Sequence, residues 1–362
     1  EYGIKPYNIL AMTFTNKAAR EMRDRLDRLV GSRSDALTVG TFHSFCAKLL
    51  RIDGHHLGLD PNYTIYDADD QTTIIKQSME LAEIDPKRNS PRAVLSTISK
   101  AKNMMWDSQT MLKNAVDNYF EETCARIYHH YEEILTRNNS LDFDDLLMKS
   151  VQLLREFPEV RRKYQERYQY IMVDEFQDTN ITQYQLARYL GESHQNVCVV
   201  GDPDQSIYSW RSADIRNILS FQNDYQQSKT ITLDQNYRST STILDAAKQV
   251  ISKNGQRIQK ELFTDNLKGE LVEIRGEYIP MLRLHERLNI KPRFKEPTEG
   301  LVVVVQHANR KQCLFVDQIV DQGPVVIKSM EDNFIQVPGI AGATILGDGR
   351  VSFILDVASL VN

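Results

Sequence analysis

Two carboxylates stand side by side at Asp174 and Glu175, directly after Tyr170-Ile171-Met172-Val173, four residues that read as a buried strand. At the carboxyl end of a strand in an α/β sheet they lie on the edge where such folds bind ligands, and an adjacent pair can divide its work between Mg2+ and a water nucleophile. Acidic residues also end strands in plain solvated turns, so the pair alone is an even choice between chemistry and turn. A second apolar run, Asn196 to Val200, leads into Gly201-Asp202-Pro203-Asp204-Gln205-Ser206-Ile207-Tyr208-Ser209-Trp210-Arg211, with an amide, two aromatics and an arginine in its last seven residues. Tyr208 and Trp210 are spaced to stack on successive bases, with Arg211 free for a phosphate. A further strand candidate, Thr230 to Leu233, precedes Asp234-Gln235-Asn236-Tyr237-Arg238, where Tyr237 could stack on a purine and Arg238 neutralise a terminal phosphate.

Strands and helices must hold these residues in place. Tyr7 to Met12 is a short apolar run, then come Thr13-Phe14-Thr15-Asn16 and a helical pattern through Ala18, Ala19, Met22, Leu26 and Leu29, with Thr15 or Asn16 as its cap. Phe14 on such a loop is a core plug or a platform for a flat ligand, and locally the plug is favoured. Thr38-Val39-Gly40-Thr41-Phe42-His43-Ser44 repeats the grammar of strand, hydroxyls and helix. Thr41 and His43 could position phosphates at a helix amino terminus, although an ordinary cap with a packed histidine explains them equally.

Residues 67–139 read as almost purely helical, with helices over Ile74 to Ile84, Val94 to Met105 and Tyr119 to Leu135. Their basic residues, Lys102 among them, are assigned mostly to a solvated face. Asp142, Asp144 and Asp145 open the next helix, where its dipole favours them. Ser241 to Ile251 predicts another helix. Beyond Gly269 the composition shifts to short Val, Ile and Gly-rich strands: Leu301 to Val305, Cys313 to Val316, Pro324 to Ile327, and a hairpin from Thr344 to Val357 turning at Gly347-Asp348-Gly349. This pattern predicts a small β-barrel.

At 362 residues the chain is long enough for two or three domains, and 41% apolar with 26% charged residues excludes wholesale disorder. A net charge of −5 excludes a globally basic nucleic-acid binder but leaves room for a local basic groove. No apolar run approaches a bilayer span, and the first residues lack signal-peptide character, so a cytoplasmic location without membrane insertion is expected. The four cysteines are far apart without CxxC spacing, which argues against a zinc site or a disulfide framework.

In their order, these blocks resemble the motifs of superfamily 1A DNA helicases of the UvrD, Rep and PcrA type over roughly residues 1 to 270. The resemblance implies a RecA-like α/β motor core with a parallel sheet. Domain 1A would take 1–66 and 140–228, a helical insertion 1B 67–139, and the start of a second motor domain 229–270. It places Thr13, Phe14, Asn16, Thr41 and His43 on the single-stranded DNA path, gives Asp174 to Mg2+, and gives Glu175 to the attacking water. Gln205 would sense the terminal phosphate, Tyr208, Trp210 and Arg211 would meet DNA, Tyr237 would stack on adenine, and Arg238 would reach the γ-phosphate of ATP. For Phe14 and His43 it turns the preference to DNA contact. Two departures stand out. G-x-x-x-x-G-K-[ST] occurs nowhere in the chain, so the phosphate-cradling loop is expected to precede it, and Ser212 stands where this family commonly has Gly.

Residues 271–362 resemble the CheW-like regulatory domain of CheA chemotaxis histidine kinases. The carriers are Arg275-Gly276-Glu277-Tyr278-Ile279-Pro280-Met281-Leu282-Arg283-Leu284 and Pro338-Gly339-Ile340-Ala341-Gly342-Ala343-Thr344-Ile345-Leu346-Gly347-Asp348-Gly349. The resemblance implies a partial all-β, SH3-like barrel that works by protein contact. The two resemblances meet near Gly269 to Leu271, as expected for a joined reading frame. Together they predict part of an ATP-dependent 3′-to-5′ helicase that binds ATP, Mg2+ and single-stranded or partly duplex DNA, with impaired hydrolysis. The alternatives are a coupling protein for chemotaxis receptors or kinases, and passive single-stranded DNA binding.

Overall fold

The computed structural model describes residues 3–254, 260–265, 270–307, 310–320, 340–346 and 350–357. The chain divides into two compact units, 1–230 and 231–362.

In the first unit, β1 (Ile9–Thr13) leads to α1 (Asn16–Val30), and β2 (Thr38–Thr41) to α2 (Phe42–Asp53). Next come β3 (Thr64–Ile65), α3 (Ala68–Leu81), α4 (Pro91–Asn103), α5 (Ser108–Asn114), α6 (Tyr119–Arg137) and β4 (Ser140–Leu141). Then follow α7 (Phe143–Glu156), α8 (Pro158–Arg167), β5 (Tyr170–Val173), α9 (Ile181–Gly191), β6 (Val197–Val199) and two short helices, α10 (Arg216–Leu219) and α11 (Phe221–Asp224).

The main sheet is parallel throughout, in the order β2-β1-β5-β6. Its register sets Thr13 beside Thr41, Met12 beside Val173, and Val173 beside Val199. The segments after β1, β2, β5 and β6 therefore emerge along one carboxyl edge, where a parallel α/β sheet presents ligand-binding loops. A core that includes Leu10, Met12, Phe42, Leu50, Ile171 and Val173 closes the sheet against α2, α7 and α9. The helices α3 to α6 bury their own cluster around Ile75, Met79, Ile98, Tyr128 and Tyr131. Where the chain enters and leaves this helical region, β3 and β4 form a two-residue parallel ladder, Thr64 with Ser140 and Ile65 with Leu141.

The second unit contains α12 (Ser241–Ile251), β7 (Glu270–Ile274), β8 (Glu277–Arg283), α13 (Leu284–Arg287), β9 (Leu301–His307), β10 (Arg310–Val316), β11 (Ile340–Ile345) and β12 (Val351–Leu355). One sheet runs β7-β8-β10-β9, parallel only between β8 and β10, and β11 pairs antiparallel with β12. Arg275 and Gly276 join β7 to β8 with φ of 53° and 81°, as a two-residue hairpin turn that follows the right-handed strand twist requires. Ile279, Met281, Cys313 and Phe315 form the small core. The parallel α/β class and a curled β sheet are thus both present.

The expected strand over Thr230 to Leu233 does not form. Ile231 and Leu233 are exposed, and the nearest pairing is an isolated bridge from Gln235 to Phe263, so no ladder holds the segment extended. The expected strand Pro324 to Ile327, the turn Gly347 to Gly349, Pro338-Gly339 and the segment 266–269 lie outside the described residues.

Candidate nucleotide and nucleic-acid site

Asp174 follows β5, and its backbone N–H donates to the Met12 carbonyl at 2.9 Å, which fixes it at the sheet edge. Burial raises its carboxyl above the ordinary range and the neighbouring Glu175 charge adds to this, opposed by a hydrogen bond from the Glu175 N–H. Glu175 is exposed and sits in the left-handed region at φ 53°. A non-glycine residue there costs about 1–3 kcal/mol, a cost the surroundings must offset. The offset is visible on the next residue, where Phe176 is buried and its N–H donates to the Val200 carbonyl at 3.0 Å.

Gln177, which sequence reasoning passed over, is 1% exposed. Its Nε2 donates to Glu175 Oε2 at 2.9 Å and to Asp178 Oδ2 at 3.2 Å, while its Oε1 accepts the Asp202 N–H at 3.0 Å. The loop after β6 is thus tied to Glu175 and Asp178 through one side-chain amide. Gln205 is exposed, and its Nε2 donates to Asp202 Oδ2 at 2.9 Å.

The aromatic residues form a ladder. Phe14 and Tyr208 stack with ring centroids 5.6 Å apart and planes 23° from parallel, and Trp210 lies 6.2 Å from Tyr208. Trp210 is 68% exposed, an unusual position for the largest apolar side chain unless a flat ligand covers it. Thr13, Phe14, His43, Asn103, Asp144 and Trp210 line a cleft of about 380 Å3. His43 makes an edge-to-face contact with Phe143 at 5.7 Å, and burial holds its imidazole below the ordinary pKa although Asp144 pulls the other way.

The remaining candidates are placed differently. Thr41 is buried, and its hydroxyl caps α2 by accepting the Ser44 N–H at 3.2 Å. Asn16 is exposed as the first residue of α1, which Thr15 caps by accepting the Ala18 N–H at 3.0 Å. Arg211 lies in a described turn, but its side chain is outside the described atoms. Ser212 has φ 63°, a left-handed conformation that glycine adopts without strain. In the second unit Tyr237 is 77% exposed with its hydroxyl on Gln235 Oε1, and Arg238 is exposed, its N–H donating to Asn236 Oδ1 at 3.0 Å.

Lys102 corrects an expectation: it is 1% exposed rather than part of a solvated face. Its Nζ donates to Asp142 Oδ2 at 2.7 Å and Asp145 Oδ1 at 2.8 Å, and the Tyr131 hydroxyl donates to Asp142 Oδ2 at 2.9 Å. Burial opposes the Lys102 charge, but the two carboxylates overcome it and raise its pKa. Burial and the Asp145 charge push Asp142 up to about 6, while Lys102 holds Asp145 low against its own burial. The next residue, Asn103, donates to Asp144 Oδ1 at 3.1 Å and accepts the Thr182 hydroxyl on its carbonyl at 2.9 Å. This network fastens α4 to α7 and α9 and so fixes one wall of the cleft. One signal was in the sequence: Lys102 falls four residues after Ile98, on the apolar stripe of its helix.

Comparison with known proteins finds similar sequences. ATP-dependent DNA helicase PcrA of Staphylococcus aureus (strain Mu50) is 48% identical over 272 residues, covering 75% of this chain and 37% of the relative. PcrA of Bacillus subtilis (strain 168) is 48% identical over 269 residues, covering 74% and 36%. The chain therefore spans little more than a third of these curated relatives. A CheW-like domain matches residues 264–362. With the UvrD/REP helicase N-terminal domain matching residues 1–226, the chain belongs to the UvrD/REP helicase family.

Proposed function

We propose that the first unit binds single-stranded DNA along the Phe14, Tyr208 and Trp210 ladder and engages ATP with Mg2+ at Asp174 and Glu175, as part of an ATP-dependent 3′-to-5′ helicase acting on single-stranded or partly duplex DNA. The observation that carries this reading is the aromatic ladder, in which Phe14 stacks on Tyr208, Trp210 follows at 6.2 Å, and Phe14 and Trp210 line one cleft with Asp178.

Among the described residues no group of three or more His, Cys, Asp or Glu is arranged to hold a metal. Mg2+ commonly takes one or two carboxylates and fills its octahedron with water and phosphate oxygens. Asp174, half-buried at the sheet edge, fits as such a ligand. The bound ion would supply charge neutralisation on the phosphates. Glu175 would orient and deprotonate a water, and Gln205 is assigned to the nucleotide. The 362 residues hold no G-x-x-x-x-G-K-[ST] loop, so nucleotide binding by this chain is weak and its turnover low.

Fluorescence anisotropy of a labelled oligothymidylate tests the DNA reading. Salt-sensitive binding that survives omission of ATP, and that weakens about 5- to 150-fold in Trp210→Ala from the loss of ~1–3 kcal/mol of stacking, is expected. Unchanged affinity in Trp210→Ala and Phe14→Ala would refute it. ATPase turnover at the level of an intact helicase, abolished by Glu175→Gln, would refute the low-turnover assignment.

The CheW-like match supports a second role for residues 264–362 in contacts with chemotaxis receptor or kinase proteins. Pull-down of the full chain by a receptor tip or kinase tests it, and no retention would count against it.

A further inference from the structure

Gln177 has an arrangement that packing alone does not demand. Its side chain is buried, yet every polar atom of the amide is engaged: Oε1 with the Asp202 N–H, Nε2 with one carboxylate on each side. These partners fix the amide orientation, since a flipped amide would set its oxygen against two carboxylates and its NH2 against an N–H. The Gln177 carbonyl also accepts the Ser206 hydroxyl at 3.4 Å. Gly201 fits closely over the same group, because a Cβ there would lie 2.6 Å from Gln177 Oε1 and 3.2 Å from Gln177 N.

One side of Gln177 therefore grips the loop whose far end carries Tyr208 and Trp210. The other grips Glu175, an exposed carboxylate on a left-handed backbone whose side-chain hydrogen bond, among the described residues, comes from this amide. A carboxylate that activates water must be held within a fraction of an ångström of its working position. Among the described residues no other hydrogen bond reaches the Glu175 side chain to do that.

We infer that Gln177 is a positioning residue that transmits occupancy of the aromatic ladder to the Glu175 carboxylate. A base stacking on Tyr208 and Trp210 draws on the 201–211 loop, the Asp202 N–H moves against Oε1, and the rigid amide carries that movement to Nε2 and hence to Glu175 Oε2. The inference rests on the proposed DNA-binding and water-activating roles. It adds the group that links them.

The test is NMR on the full chain labelled with 13C at glutamate carboxyls and 15N at glutamine amides, with the Glu175 line identified by Glu175→Gln. The probe is a short oligothymidylate. Saturating it should move both the Glu175 carboxyl line and the Gln177 side-chain amide line in the wild type. In Gln177→Met, which matches the shape but cannot donate, the Glu175 shift should be lost while oligothymidylate binding still saturates. A purely structural glutamine would leave the Glu175 line of the wild type unmoved. Saturable binding without that movement overturns the link, as does a Glu175 shift that persists in Gln177→Met. Absence of any binding overturns the DNA reading itself, and the link with it. Should Gln177→Met not fold, the wild-type Gln177 amide decides: a line unmoved at saturation overturns the inference.

Discussion

Lys102→Met isolates the polar network that fastens the helical region to the sheet. Methionine keeps the length and apolar stem of lysine but leaves the Asp142 and Asp145 carboxylates, 2.7 and 2.8 Å from the lost ammonium, buried without their cation. Removing one partner of a buried ion pair costs about 3–5 kcal/mol, because the remaining charge is unpaired. At ~2–4 °C per kcal/mol for a unit of this size, the expected fall in melting temperature is about 6–20 °C. The pH dependence follows in sign from the carboxylates. Asp142 is already pushed up to about 6 from the ordinary 3.8 with Lys102 present, so without it the folded-state pKa rises further. A carboxyl raised in the folded state costs stability above its folded pKa, and the cost disappears as pH falls towards the unfolded value. Urea unfolding of wild type and variant at pH 8 and pH 5 measures this. The deficit should be largest at pH 8 and shrink at pH 5. A loss below about 1 kcal/mol at pH 8, the level of an exposed pair, would refute the burial argument. A deficit that stays constant or grows towards pH 5 would refute the assignment to unpaired carboxylates.

Three further outcomes are expected. Burial lowers the His43 pKa from 6.5, so the unfolded imidazole takes up its proton first and stability falls as pH drops from 6.5 through the folded value; denaturant melts of His43→Gln should show a shallower acid slope, and an identical slope would contradict the burial. Ser212→Gly relieves a left-handed serine and should gain up to about 1 kcal/mol in the same melts, net of the added freedom of the unfolded chain; a loss of stability would show that the serine side chain matters more than its backbone. A joined reading frame near residue 270 predicts a junction when the native locus is sequenced across codons 265 to 275, whereas one continuous frame there would dismiss it.

The fold class was legible because it depends on short-range pattern. Tyr170 to Val173 reads as a buried strand and is β5; Ser241 to Ile251 reads as a helix and is α12. Thr230 to Leu233 has the same β-branched composition and forms no strand, because a strand also needs a neighbour to pair with, and pairing is not written in the segment itself. The site divides similarly. Phe14, Tyr208 and Trp210 were recognisable by type, but the stacking of Phe14 on Tyr208 joins residues far apart in the chain. Lys102 and Gln177 were missed because their environment is made by partners from other elements. The glycine expected at 212 was readable only as a departure, and the positive φ supplies its physical reason.

The short ladder between β3 and β4 gives the helical region a topological meaning. Parallel neighbours cannot be joined by a tight turn; they need a crossover, usually a single helix. Here the crossover between Ile65 and Ser140 has grown into a bundle with its own core. Its two ends are pinned a strand's width apart, so the bundle can lengthen, shorten or be exchanged without moving the strands that carry Asp174 and Thr13. What such a change cannot discard is Lys102, because the carboxylates that need it belong to the helix after the ladder.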